Sequence, residues 1–206
     1  MVLLLTWPPV RLSRYYGVAG GQAAERVVRQ YERASSRESR VPPLALFGTS
    51  VALGIVAWGI VVARYLWPAL RNQPRAEALR PLLLLHSFRF IGLAFLVPGV
   101  VSPDLPGAYA RPAAYGDLIA ALLALLALAG LQSRLGIVLV WVFNVWGSAD
   151  LLYAFYQGVI GVGLEPGQLG AAYFIPTVVV PLLLITHGLV FRLLLQGDGV
   201  ATSRDG

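Results

Sequence analysis

The sequence predicts an all-α membrane protein of about five transmembrane helices in a bundle, preceded by an N-terminal leader. Two observations carry that expectation. Hydrophobic residues make up 57% of the chain and charged residues only 13%, about half the charged share of an ordinary soluble domain. About five apolar runs, each long enough to cross a ~30 Å hydrocarbon core, are separated by short segments of proline, glycine and arginine. A chain this apolar cannot cover a soluble core with polar surface, so lipid is its expected solvent.

Residues 1–42 read as the leader. Its opening MVLLLTWPPVRL is apolar but too short to span, is interrupted by Pro8 and Pro9, and lacks the basic start and cleavage site of a signal peptide. From Gln22 to Arg40, Ala23, Val27, Val28, Tyr31 and Ala34 recur at helical spacing among Arg26, Arg29 and Arg33. That pattern predicts an amphipathic helix lying on the headgroups, with a disordered leader as the alternative.

The transmembrane domain is expected over residues 43–197. Its first span runs from Leu44 to Trp67, with Arg64, Tyr65 and Trp67 as interface anchors and Gly48, Ser50, Gly54 and Gly59 as small packing positions. Pro68 ends it. The second span begins at Leu79 or Pro81 and stops at Val97, before Pro98 and Gly99. The third, Tyr115 to Leu131, is nearly pure alanine and leucine and reads as scaffold. After a turn at Gln132–Arg134 comes the most aromatic span, Gly136 to Val162. The fifth, Leu169 to Leu195, carries Pro176 and Pro181, which can kink a membrane helix. Residues 198–206 read as a disordered tail. No internal repeat is visible.

Arginines after the first span (Arg71, Arg75, Arg80), at Arg134 and near the end (Arg192, Arg204) predict a cytoplasmic C-terminus in an inner, cytoplasmic-type membrane; the loops around Asp104 and Glu165 fall outside. The leader, with seven arginines, pulls the other way, because five spans place it outside.

Two absences exclude whole chemistries. Without cysteine there are no disulfides, thiolate metal sites, iron–sulfur clusters or cysteine nucleophiles. All 16 basic residues are arginine, so Schiff-base chemistry and a P-loop lysine are also excluded. The net charge of +6 lies mostly in the leader and beside the apolar runs, where it faces lipid headgroups and not nucleic acid. The expected partners are the lipid bilayer and either a second copy or another subunit of a membrane complex.

A polar residue inside a span is costly and therefore a candidate for function. Here these are His86, Arg89, Asn144, Asp150, Gln157, Thr177 and His187. Both histidines of the chain are among them. Counted from the ends of their spans, His86 and His187 sit roughly 8 and 12 Å from the same face, so they can meet between the second and fifth helices. Paired histidines on facing helices are one way to ligate haem iron. Phe90 and Phe191, each four residues on, would flank a macrocycle, and Arg89 would meet a propionate.

Arg89 cannot shed its charge, and Asp150 is the natural partner within a span, with Asn144 as a neutral second. At 100° per residue Gly147, Asp150, Ala154, Gln157 and Gly161 form one stripe, with Asn144 at its edge, which predicts a polar cavity or a close helix contact. Zinc-protease and nucleophile-elbow motifs are missing, and no catalytic residue is assigned. Three readings stay open. The first is haem b and electron transfer, with His86 and His187 as iron ligands and Arg89 beside them. The second is a small permease or proton-coupled carrier using Arg89, Asp150 and His187. The third is a structural or assembly subunit, in which the same residues only fix helix pairing.

Overall fold

The computed structural model describes residues 29–30 and 41–196. The chain divides into two units, Met1–Pro42 and Pro43–Gly206. Within the first, Arg29 and Gln30 are helical; the rest of the expected surface helix lies outside the described residues, as does the expected tail from residue 198.

The second unit holds five helices long and apolar enough to cross a membrane: α1 (Pro43–Leu70), α2 (Arg75–Leu96), α3 (Gly107–Ala129), α4 (Arg134–Gly161) and α5 (Ile175–Leu195). There is no β-strand among the described residues, only an isolated bridge between Pro98 and Val101. Helix α3 packs between α2 and α4, while α5 touches α1, α2 and α4. The buried face of α3 is Ala110, Ala113, Ala114, Ala120, Ala121, Ala124 and Ala127, and its leucines 122, 125 and 126 point outward. The alanines let neighbouring backbones approach closely, so the alanine and leucine of this helix have opposite uses.

Several boundaries differ from those expected. Helix α3 starts at Gly107, eight residues before Tyr115; Pro106 precedes it and Pro112 lies inside it. Helix α2 starts at Arg75, directly after Pro74, and carries Pro81 inside. Helix α5 starts at Ile175 and not at Leu169. Residues Pro166–Tyr173 form a separate 3₁₀ segment, broken at Gly170, where φ is 53° and ψ is −131°. Only glycine adopts that conformation readily, and a Cβ there would also strike the Val100 carbonyl. Ala171 N–H donates to that carbonyl at 2.8 Å, and Ser102 N–H to Gln168 O at 3.0 Å. The segment is thereby tied to the loop between α2 and α3.

Wide π-turns interrupt α1 at Val62–Leu66 and α5 at Ile175–Val179. Each ends two residues before a proline, Pro68 or Pro181. A proline ring collides with the carbonyl four residues earlier, and a wider turn relieves the collision. The tight turn into α4 is set by Ser133, whose Oγ accepts from Gly136 N–H at 3.0 Å and donates to Gly130 O at 2.8 Å, an N-cap of the usual kind.

The interior has three layers. At one end lies an apolar cluster that includes Leu79, Leu82, Leu83, Phe143, Val190 and Leu193. At the other lies a second, with Phe95, Tyr109, Leu151, Leu169, Ile175 and Leu183. Between them, near the middle of four helices, are the buried polar residues His86, Arg89, Asp117, Asn144, Thr186 and His187.

Helix α1 stays outside this arrangement and has no fully buried residue before its π-turn. It is held by Trp58 Nε1–H donating to Val178 O (2.9 Å), by the Tyr173 hydroxyl donating to Ser50 Oγ (3.2 Å) and by Gly54, where a Cβ would collide with the Thr177 carbonyl. A Gly54→Leu variant should therefore lose about 1–3 kcal/mol from overpacking, read as thermal unfolding in detergent. Gly59, with open space at its Cβ position, should accept the same change without loss; equal effects at both sites would refute this docking.

Candidate functional site

The site is built around Arg89. From Ser87 the second helix tightens to 3₁₀, which repeats every three residues. His86, Arg89, Gly92 and Phe95 therefore share one face, and all four are buried. The face carries Arg89 into the middle of the bundle, where it is 1% exposed.

A guanidinium has five N–H donors and no acceptor, and here each of its three nitrogens has a partner. Nε–H donates to Asp117 Oδ1 at 2.7 Å, and Nη2 lies 2.7 Å from both Asp117 Oδ1 and Asp150 Oδ2. Nη1 reaches Gly147 O at 3.1 Å and His187 Nε2 at 3.2 Å. One side chain on α2 thus binds α3, α4 and α5 together.

The hydrogen bonds also fix the histidines. Arginine can only donate, so His187 Nε2 is an acceptor and its proton sits on Nδ1, which donates to Asn144 Oδ1 at 2.7 Å. Asn144 Nδ2 donates back to the His187 carbonyl at 3.3 Å, which settles the amide orientation. The Thr186 hydroxyl donates to the carbonyls of Leu182 and Leu183. Its oxygen must then accept from His86 Nε2–H, at 2.9 Å. His86 Nδ1 is left as the buried side-chain polar atom with no partner among the described residues. Both imidazoles are neutral in this arrangement.

Three glycines make the room. A Cβ at Gly92 would overlap the Asp117 carboxylate, and one at Gly116 would overlap that of Asp150. At Gly147 it would lie 2.6 Å from Arg89 Nη1 and 2.7 Å from His187 Cε1. Each glycine sits where a charged group crosses its helix.

The cluster closes the inner end of a cavity of about 50 Å³. Its wall is aromatic and aliphatic, with Phe47, Phe95, Tyr109 and Phe155 among the lining residues, and Asp117 and Asp150 are its only carboxylates. The lining comes from the starts of α1, α3 and α5, the ends of α2 and α4, and the 3₁₀ segment, so the cavity belongs to one end of the bundle.

Of the residues singled out from sequence, His86, Arg89, Asn144, Asp150 and His187 come together here. Gln157 does not. A π-turn over Gln157–Gly161 shifts the helical register, folds Gln157 over Gly161 and puts Gly158 on the cavity side instead. Thr177 bonds back to the 3₁₀ segment before its helix, donating to Tyr173 O at 2.8 Å.

Asp117 corrects the view of α3 as plain scaffold and adds a second carboxylate beside Asp150. The start of α3 at Gly107 puts Asp117 ten residues, about 15 Å, along the helix. Its neighbour Gly116, in the sequence Gly-Asp within an apolar run, was the available signal. Thr186, beside His187 in sequence, was likewise missed.

The arrangement does not fit a haem held by the two histidines. Their ring centroids are 4.2 Å apart at an interplanar angle of 47°, in direct contact, and axial ligation needs a macrocycle between them. His187 Nε2 faces a guanidinium, and every Arg89 nitrogen already has a partner. Phe90 is 48% exposed and Phe191 packs on Trp141; the ring beside both histidines is Phe143.

Arg89→Met should strand two buried carboxylates and cost about 3–5 kcal/mol, measured as thermal unfolding in detergent. Arg89→Lys should recover only part of this, because a lysine has three donors on a point charge and cannot serve four acceptors on three helices. Arg80→Met removes an exposed pair with Glu77 and should leave stability nearly unchanged. A comparable loss at both arginines would argue against the cluster as a keystone.

No curated protein and no solved structure matches the chain. A family model described as a domain of unknown function, DUF8737, matches residues 46–195, and the chain belongs to that family.

Proposed function

We propose that the chain is a five-span membrane protein and that the Arg89 cluster is the coupling site of a small proton-linked carrier. The observation that carries this reading is an uneven buried charge. One guanidinium faces two carboxylates whose side chains are only 8% and 9% exposed, and the two histidines beside them are neutral. The cluster is formally one negative charge in excess. A buried excess charge is expensive, so the site holds either one proton or one cation. Exchange of one for the other is the elementary step of coupled transport, and the cavity gives one side access to it.

The helix lengths, 21 to 28 residues, suit a ~30 Å hydrocarbon layer, and the polar layer then falls near its midplane, where carrier sites lie. By the positive-inside rule the end with Arg71, Arg75, Arg80, Arg134 and Arg192 is cytoplasmic. The cavity then opens outward, beside loops that carry Asp104 and Glu165, in a multi-pass inner-membrane protein with its C-terminus inside.

A purely structural clamp is the competing reading, favoured by the engagement of every Arg89 nitrogen. Proteoliposomes enclosing a pH-sensitive dye separate the two when challenged with small cationic, neutral and anionic solutes. Under the carrier reading at least one solute drives a proton signal, and Asp150→Asn, which keeps an oxygen for Nη2–H, abolishes it without unfolding the protein. Equal signals from wild type and Asp150→Asn overturn the proposal. A wild type silent across the panel supports the clamp.

A further inference from the structure

Resting on the carrier reading, we propose that the cation accepted by this site is a small primary alkylammonium, its head at Asp117 and Asp150 and its chain along the apolar cavity. Three features of the cavity select it. The first is charge. An anion would meet two carboxylates, and the one cation nearby, Arg89, has all three nitrogens engaged.

The second is the acceptors on offer. Asp117 uses only Oδ1 and Asp150 only Oδ2 toward the protein. The second oxygen of each has no hydrogen-bond partner; Asp117 Oδ2 rests against Gly92 and Asp150 Oδ1 against Gly116, on side chains more than nine-tenths buried that both line the cavity. An ammonium group has three N–H donors and can serve both oxygens. A quaternary ammonium has none, and a hard inorganic cation requires six or more oxygen ligands or retained water, for which this wall offers few.

The third is the wall. Beyond the carboxylates and the Tyr109 hydroxyl the lining side chains are apolar, from Phe47 and Phe95 to Leu151 and Val180. A ligand with a second polar group would bury it unpaired. A volume of about 50 Å³ is several times the ~10–15 Å³ that holds one water on the same measure, so it admits a head and a short unbranched chain.

The test is calorimetric titration of the detergent-purified full chain with n-butylamine at neutral pH, beside n-butanol, butyrate, tetramethylammonium and sodium chloride. Butylammonium should bind, the others at least about tenfold more weakly, and Asp150→Asn should weaken it about tenfold or more, as expected for loss of a charged hydrogen bond. Ala154→Leu, which adds bulk to the cavity wall and leaves both carboxylates in the chain, should also abolish binding and guards against misfolding of the aspartate variant. Butanol, butyrate or sodium binding as well as the amine overturns the proposal, as does amine binding that survives both substitutions. Amine binding without proton-linked flux in liposomes sinks the carrier reading and leaves the ligand class standing. Proton-linked flux of some other solute, with no amine binding, does the reverse.

Discussion

The constraint on which the rest of the bundle depends is that Arg89 is buried and cannot lose its charge. A guanidinium in an apolar interior has to find acceptors for five donors, and no single neighbouring helix supplies them. Asp117, Asp150, the Gly147 carbonyl and His187 come from three other helices, so the position of α2 fixes those of α3, α4 and α5. In lipid the apolar side chains gain little from facing one another instead of acyl chains, and polar contacts and close packing decide helix pairing. The two apolar clusters fill space at either end; the ion cluster between them sets the register.

That cluster needs unusual backbone around it. An α-helix would turn Gly92 and Phe95 progressively away from Arg89, whereas the 3₁₀ geometry from Ser87 keeps all of them on one face. A run this long is uncommon in 3₁₀ form, and the contacts made by that face account for its persistence: Gly92 receives the Asp117 carboxylate, and Phe95 meets Tyr109 edge-on with centroids 5.6 Å apart. Gly116 and Gly147 do the same service on α3 and α4. The three glycines are part of the electrostatics, because a methyl group at any of them would push a charge off its partner.

Much of this was legible in the sequence, and the reasons for the failures are local. Five apolar runs were visible by their length and composition, and Arg89, Asp150, Asn144 and both histidines stood out because polar residues within such runs are rare. Asp117 was hidden by a boundary. A span begun at Tyr115 puts Asp117 in its first turn, and the helix starts eight residues earlier, at Gly107. Gln157 was misplaced by extrapolating 100° per residue through a π-turn that hydrophobicity does not announce. The depth argument put His86 and His187 at one level, but it could not say whether their rings would be held apart by a macrocycle or lie in contact. That depended on Asn144 and Thr186 claiming one nitrogen of each.

The order of charges along the site carries a mechanistic consequence on the carrier reading. From the cavity inward come the carboxylates, then the guanidinium, then His187 and His86. A proton or ammonium arriving at Asp117 or Asp150 meets Arg89 next, a fixed positive charge whose Nη1 occupies the one bare nitrogen of His187. Nothing positive can pass while that bond stands. Passage toward the basic end therefore requires the guanidinium to withdraw, and neutralising a carboxylate is what weakens its hold. Behind it, the bare Nδ1 of His86 is an acceptor already in place within the dry layer. On that reading the same four hydrogen bonds that tie the helices together also close the route through them, so opening the route and loosening the bundle are one event.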